Sequence, residues 1–367
     1  MITRRSAYRG CLLGLAVGDA MGYTVDTKSW AHIQEDYGPN GLMGYDLVNG
    51  YADVTSHAQL AAFTATGLLM GMTRGQINGK MAPFVRYAAL AQREWATSQR
   101  RYDQPQRIYC WVYRVPELRR RRCTDTRMLD TLNRDTLGSP EEPTNRYDSP
   151  GALATAVAVG MFADRNRMEQ EEIDRLGAES VALTHGSPVA FLSGAWVAHL
   201  VSNLLRDSGT PLEILMEEAC EAVGNQFGRE YAPAAKELRL LVMKAVAMAR
   251  DRNMAPREVM EQLECECCTQ VLAGAVYASL LCQEDFDSAM ILAVNHSGRS
   301  AAVGCLTGAI LGARMGAEAL PEFYLESLEA ARVLLELADD LVQGCPMVRG
   351  NRLFDGDWDR KYLHGEY

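Results

Sequence analysis

The sequence predicts an all-α protein. Through nearly every long segment Ala, Leu, Met, Glu and Arg fall at i, i+3 and i+4, the spacing of one helix face. Runs of β-branched residues are few, and the breaks between periodic stretches carry helix-stopping chemistry. Two glycine-patterned segments, far apart in the chain, add a third helical signature.

In order, helices are expected over residues 59–72, 81–97, 151–163, 188–206, 210–225, 232–252, 268–282 and 323–343. The first two are separated by the Gly-Gln and Asn-Gly breaks between Gly75 and Gly79. Later stops are Gly138-Ser139-Pro140 and Gly209 before Pro211. Residues 31–55 and 135–150 lack periodicity and are expected as surface loops. The second holds Pro140, Pro143 and Pro150 among polar residues. No charge run or low-complexity linker divides the chain, so residues 1–367 are expected to form one large domain.

The 37 basic residues are outnumbered by 47 acidic ones, a net charge of −10. That balance argues against a nucleic-acid partner, whose phosphates need a basic surface. No apolar run approaches the ~20 residues of a membrane helix, so no membrane association is expected. Met1 to Arg5 is basic, but Gly10, Gly14, Gly18 and Asp19 interrupt the apolar stretch behind it and no small-residue cleavage site follows, which suggests a cytoplasmic protein. Ten cysteines lack a disulfide framework. Cys265, Cys267 and Cys268 have no second pair at zinc spacing and read as free thiols on a helix. The basic run Arg119 to Arg122, beside Glu117, Asp125 and Asp130, reads as a solvated face.

Residues 10–22, GCLLGLAVGDAMG, and residues 304–316, GCLTGAILGARMG, coincide at Gly, Cys, Leu, Gly, Gly, Met and Gly. Glycine every four residues lies on one helical face at a propensity cost of about 1 kcal/mol each. That pattern predicts two adjacent central helices with closely approaching backbones. Packing leaves unexplained the polar residues beside them: Asp19 and Asp26 in one case, Asn295 to Ser300 in the other.

These segments together resemble the ADP-ribosylglycohydrolase family. Arg9 to Gly22 looks like its opening helix and Thr184-His185-Gly186-Ser187-Pro188 like its T-H-x-x-P turn. Arg122-Cys123-Thr124-Asp125-Thr126 stands at its R-A-P-G-x-T stretch, and Asp285-Phe286 through Gly316 follows its last long motif. The resemblance implies a compact multi-helix orthogonal bundle that holds two Mg or Mn ions and cleaves ADP-ribose from its acceptors.

Residue by residue, the carry-over is incomplete. The family's T-D-D-T run falls on Thr55-Ser56-His57-Ala58, and its D-x-D-[TS] run on Arg299-Ser300-Ala301-Ala302. Only the threonine survives, so the metal ligands that the resemblance would supply are absent and no cofactor is expected. A shifted register using Asp53 restores one carboxylate and breaks the downstream match. The family's flap glutamate falls on Asp26, one methylene shorter, and its N-G-x-x-M-R segment on Pro150 to Thr155, without the Asn and Arg.

The candidate pocket is therefore Asp19, Asp53, Thr55, Ser56, His57, His185, Asn295, His296, Arg299 and Ser300, with Asp26 as the candidate catalytic group. Arg299 is expected to fill the former metal position and pair with Asp19, Asp26 or Asp53, or to receive an anion. His57, His185 and His296 together could bind zinc, which the neighbouring Arg299 disfavours. Three functions follow: a metal-free pseudoenzyme binding an ADP-ribose-like small molecule or an ADP-ribosylated protein; a metal-independent hydrolase of ADP-ribose glycosidic bonds using Asp26 or Asp53; or an interaction scaffold with a closed cleft.

Overall fold

The computed structural model describes residues 2–100, 105–123, 125–166, 168–207, 209–251, 253–348 and 353–367, apart from the side chains of residues 165 and 166. Thr124 of the quoted motif and Arg252, the expected end of one helix, lie outside them. Among the described residues the architecture is helical, with only isolated bridges at Val48 with Tyr51 and Ala52 with Leu328.

At the centre, α1 (Arg4–Tyr23) lies antiparallel to α14 (Ser300–Met315). Gly10, Gly14 and Gly18 face Gly312, Gly308 and Gly304. A Cβ on Gly14 would stand 2.2 Å from the Gly308 carbonyl oxygen, and one on Gly308 only 1.9 Å from the Gly14 oxygen. No side chain fits there, so the spacing read in the sequence is a backbone-to-backbone seam.

Around this pair pack α3 (Ser56–Asn78), α6 (Leu153–Asn166), α8 (Pro188–Arg206), α12 (Cys268–Leu281), α13 (Phe286–Val294) and α16 (Ala331–Gln343). Outside them lie α4 (Phe84–Ser98), α7 (Gln170–Ala182), α9 (Leu212–Phe227) and α10 (Ala232–Arg250). Helix α8 corrects one expectation: by length and composition it could cross a membrane. It is instead a core helix, buried against α6 and α7, with its His199 bonded to Asp174.

Two other expectations change. Residues 31–55 are not wholly loop, because Ser29 caps a short helix, α2 (Trp30–Tyr37), which buries Ile33 and ends at Gly38 with φ 85°. The helix expected over 323–343 is interrupted between α15 (Glu322–Ser327) and α16. Ser327 C=O and Glu329 N–H pair with Ala52, and Ala330 takes a left-handed φ of 61°. That pairing withdraws backbone groups which a continuous helix would need.

Candidate functional site

A cleft of about 360 Å³ opens where the C-terminal end of α1 meets the N-terminal ends of α3 and α14. Its walls include Tyr23, Asp26, Thr55, Ser56, His57, Arg122, Asp125, Arg127, Ser149, Arg299 and Ala301. A larger groove, about 600 Å³, lies beside Arg4 at the other end of α1, roughly 30 Å away along a 20-residue helix. Its Arg4 and Arg206 both pair with Asp164 there, so the unusual polar residues of the two glycine segments belong to the smaller cleft.

Two carboxylates, the buried Asp19 and the half-buried Asp26, serve as caps from outside the helices they cap. Asp19 accepts the Thr55 hydroxyl at 2.5 Å, the Thr55 amide at 2.8 Å and the Ala58 amide at 3.2 Å. It thereby holds the start of α3, where four backbone N–H groups lack helical partners. Burial pushes its pKa up to about 6 against these bonds and the nearby Arg122 charge. Asp26 does the same for α14, accepting the Ala301 amide at 3.1 Å. Burial raises its pKa too, against the Ala301 bond and the charges of His57 and Arg299.

Asp53 stands behind the wall in an ion cluster. Its carboxylate lies 3.0 Å from Arg122, whose other contacts are Glu329 at 3.5 Å and the Val54 carbonyl at 3.0 Å. Arg120 also reaches Glu329. The run Arg119 to Arg122 is thus not simply a solvated face. The Arg122 side chain is only 10% exposed, because the chain turns inward to meet two acids.

Arg299 differs from expectation in the other direction. It lines the cleft rim, but its Nε donates to Glu266 at 3.2 Å, and both side chains are substantially exposed. It pairs with none of Asp19, Asp26 and Asp53. Arg299 precedes α14 with its amide bonded to the Cys265 carbonyl, and this fixes its side chain beside the 264–266 turn.

The three histidines do not converge. His57 is on the wall, and burial lowers its pKa. His185 is buried beneath Ser149, with Nε2 2.8 Å from the Ser149 hydroxyl and Nδ1 2.8 Å from the Thr184 hydroxyl. Burial brings its pKa down to about 4, so it is neutral at pH 7. Both nitrogens of His296 face backbone carbonyls, of Ser297 and Ala293, away from the cleft. Asn295 clamps the Leu42 backbone in both directions at 2.8 Å, and Ser300 donates to the His296 carbonyl. Asn295, His296 and Ser300 therefore shape the turn before α14 rather than the cleft wall.

Asp125, Arg127 and Ser149 join the cleft wall from outside the candidate residues of the sequence. Asp125 caps α5 (Thr126–Leu132) and pairs with Arg127 at 3.2 Å; despite burial, that pairing holds its pKa below the usual carboxylate value. Ser149 lies 3.4 Å from the same carboxylate. The Asp-Thr cap signature at 125–126 was a usable sign of a helix start, whereas nothing local marks Ser149. The ten cysteines are all free, and Cys268 donates to the Ser149 carbonyl at 3.0 Å.

Comparison with known proteins bears on this arrangement. The family model described as ADP-ribosylglycohydrolase matches residues 1–351. A solved structure described as an ADP-ribosylglycohydrolase-related protein complex superposes with a TM-score of 0.59 at 22% identity. It covers 93% of this chain and 98% of its own. At that identity the likeness is one of fold. No curated protein matches the chain.

Proposed function

Since the chain belongs to the ADP-ribosylglycohydrolase family, we propose that its cleft is a metal-independent pocket for an ADP-ribose-like ligand, free or carried on a protein, in a cytoplasmic family member that has lost metal-dependent hydrolysis. The observation that carries this reading is the fate of the carboxylates. At the positions matched to the family's metal runs stand Thr55, Ser56, His57, Arg299, Ser300 and Ala301. The acids nearby are engaged: Asp19 and Asp26 cap α3 and α14, Asp53 pairs with Arg122, and Asp125 pairs with Arg127. A hard divalent pair takes several charged oxygens, and this donor set does not fit one. The cleft offers instead the hydroxyls of Ser56 and Ser149, the rim guanidinium of Arg299 and the N–H groups that Arg122 and Arg127 have left over from their pairs with Asp53 and Asp125, suited to ribose and diphosphate oxygens.

One observation favours residual metal-free chemistry: Asp26 lies on the wall beside His57 with a pKa raised by burial, as a general base needs. A thermal-shift titration with ADP-ribose separates the readings when paired with an assay for ADP-ribose release from modified arginine or serine. Binding that stabilises the fold equally with manganese and with chelator, and no release, is expected. Release abolished by Asp26→Asn supports the metal-free hydrolase; release that requires manganese overturns both. As a positive control, the combined change Ser56→Asp, His57→Asp, Arg299→Asp and Ala301→Asp should gain manganese affinity by calorimetry, which Arg299→Asp alone should not.

A further inference from the structure

A second polar cavity, about 290 Å³, lies at the opposite end of α5 from the cleft, lined by Arg93, Arg100, Asn133, Arg134 and Asp135. Three guanidiniums share it in a chain whose net charge is −10. Arg93 Nη2 donates to the Arg134 and Asp135 carbonyls, and Arg134 Nη1 to the Thr144 carbonyl at 3.3 Å. Neither Arg93 nor Arg134 forms an ion pair among the described residues, so carbonyl dipoles hold these two charges in place without neutralising them. Arg100, also on the lining, donates to the Leu129 carbonyl at 2.9 Å and lies 4.0 Å from Asp130, and the site proposed below does not use its charge.

Arg93 carries a second mark. Its Nε is buried with no hydrogen-bond partner. A buried guanidinium N–H left unpaired is costly, so the protein's own acceptors leave this head group under-satisfied, and charged oxygens are the strongest acceptors for its remaining N–H groups. The cavity is just below the roughly 300–1,000 Å³ typical of sites for larger organic ligands, which suits a compact anion. We propose that this cavity is a binding site for a phosphate-class oxyanion, held between Arg93 of α4 and Arg134 after α5. The site is separate from the cleft and does not depend on the function proposed for it.

The test titrates inorganic phosphate and O-phosphoserine against the full chain by calorimetry, in buffers matched for ionic strength with chloride. Saturable binding is expected, at least tenfold weaker in Arg134→Gln, whose side chain is exposed. Arg93→Lys keeps the charge but loses the planar fork, and should weaken binding as well. Arg134-dependent binding of either ligand supports the proposal and tells a free ion from a protein-borne phosphate. The proposal is overturned if neither ligand binds beyond the chloride control or if both variants bind like the parent.

Discussion

The Asp19 carboxylate on α1 takes both the hydroxyl and the amide of Thr55, so one helix of the central pair caps the start of α3. Replacing Asp19 with Ala leaves the Thr55 and Ala58 amides buried without a partner and should cost about 3–5 kcal/mol in urea unfolding. Asp19→Asn, which keeps one acceptor, should cost less. Because burial raises the Asp19 pKa to about 6, the native state binds more protons than the unfolded chain between the ordinary carboxylate value near ~4 and 6. The stability of the parent relative to Asp19→Asn should therefore be highest below that window and fall as pH rises through it. A difference that grows with pH would contradict this account.

His185 gives the opposite slope. Its pKa is lowered to about 4 by burial, so between that value and the unfolded value near ~6.5 the unfolded chain binds the extra proton and stability climbs with pH. Acidification should remove on the order of 3 kcal/mol over this window. The loss should be absent in His185→Gln, as read by unfolding at pH 4.5 and 7.5.

Arg122 and Arg299 both line the cleft, and their truncations should differ sharply. Removing Arg122 leaves Asp53 and the buried Glu329 with only the half-exposed Arg120 as a cationic partner, at an expected cost of about 3 kcal/mol. Arg299→Ala breaks an exposed pair with Glu266 and should cost less than about 1 kcal/mol. Equal losses in thermal melts would show that the exposed pair matters more than its surroundings imply.

The glycine seam predicts a steep penalty for the smallest possible side chain. Gly14→Ala or Gly308→Ala puts a Cβ about 2 Å from a facing carbonyl, which the helices can accept only by separating. Each should cost about 3 kcal/mol or prevent folding. The same change at Gly224, where a Cβ meets nothing, should be neutral or slightly stabilising through helix propensity.

Most of the long helices and the seam were legible because periodicity and glycine spacing are local properties of the sequence, whereas α7 and α13 were not among the helices expected. The 188–206 helix matches α8 in both bounds, and the repeat at 10–22 and 304–316 places α1 against α14. What local pattern could not convey was which charge meets which. Arg122 and Arg299 look alike in sequence. The turn at 119–122 sends one inward to Asp53, and the bond from Cys265 C=O to the Arg299 amide leaves the other on the rim. The interruption at 328–330 was equally hidden, since it arises from pairing with Ala52, far away in the chain.

The seam between α1 and α14 also sets the order of assembly. The surface that receives the glycines of α1 is not made until roughly 300 residues after α1 itself, about 15–60 s at ordinary rates of synthesis. Until then its close-packing face has no counterpart, and a nascent chain stopped before Ser300 lacks both the seam and one wall of the cleft. The cleft is thus complete only in chains in which these two distant segments have already met, and a product cut short of Ser300 is left without either the central pair or that wall.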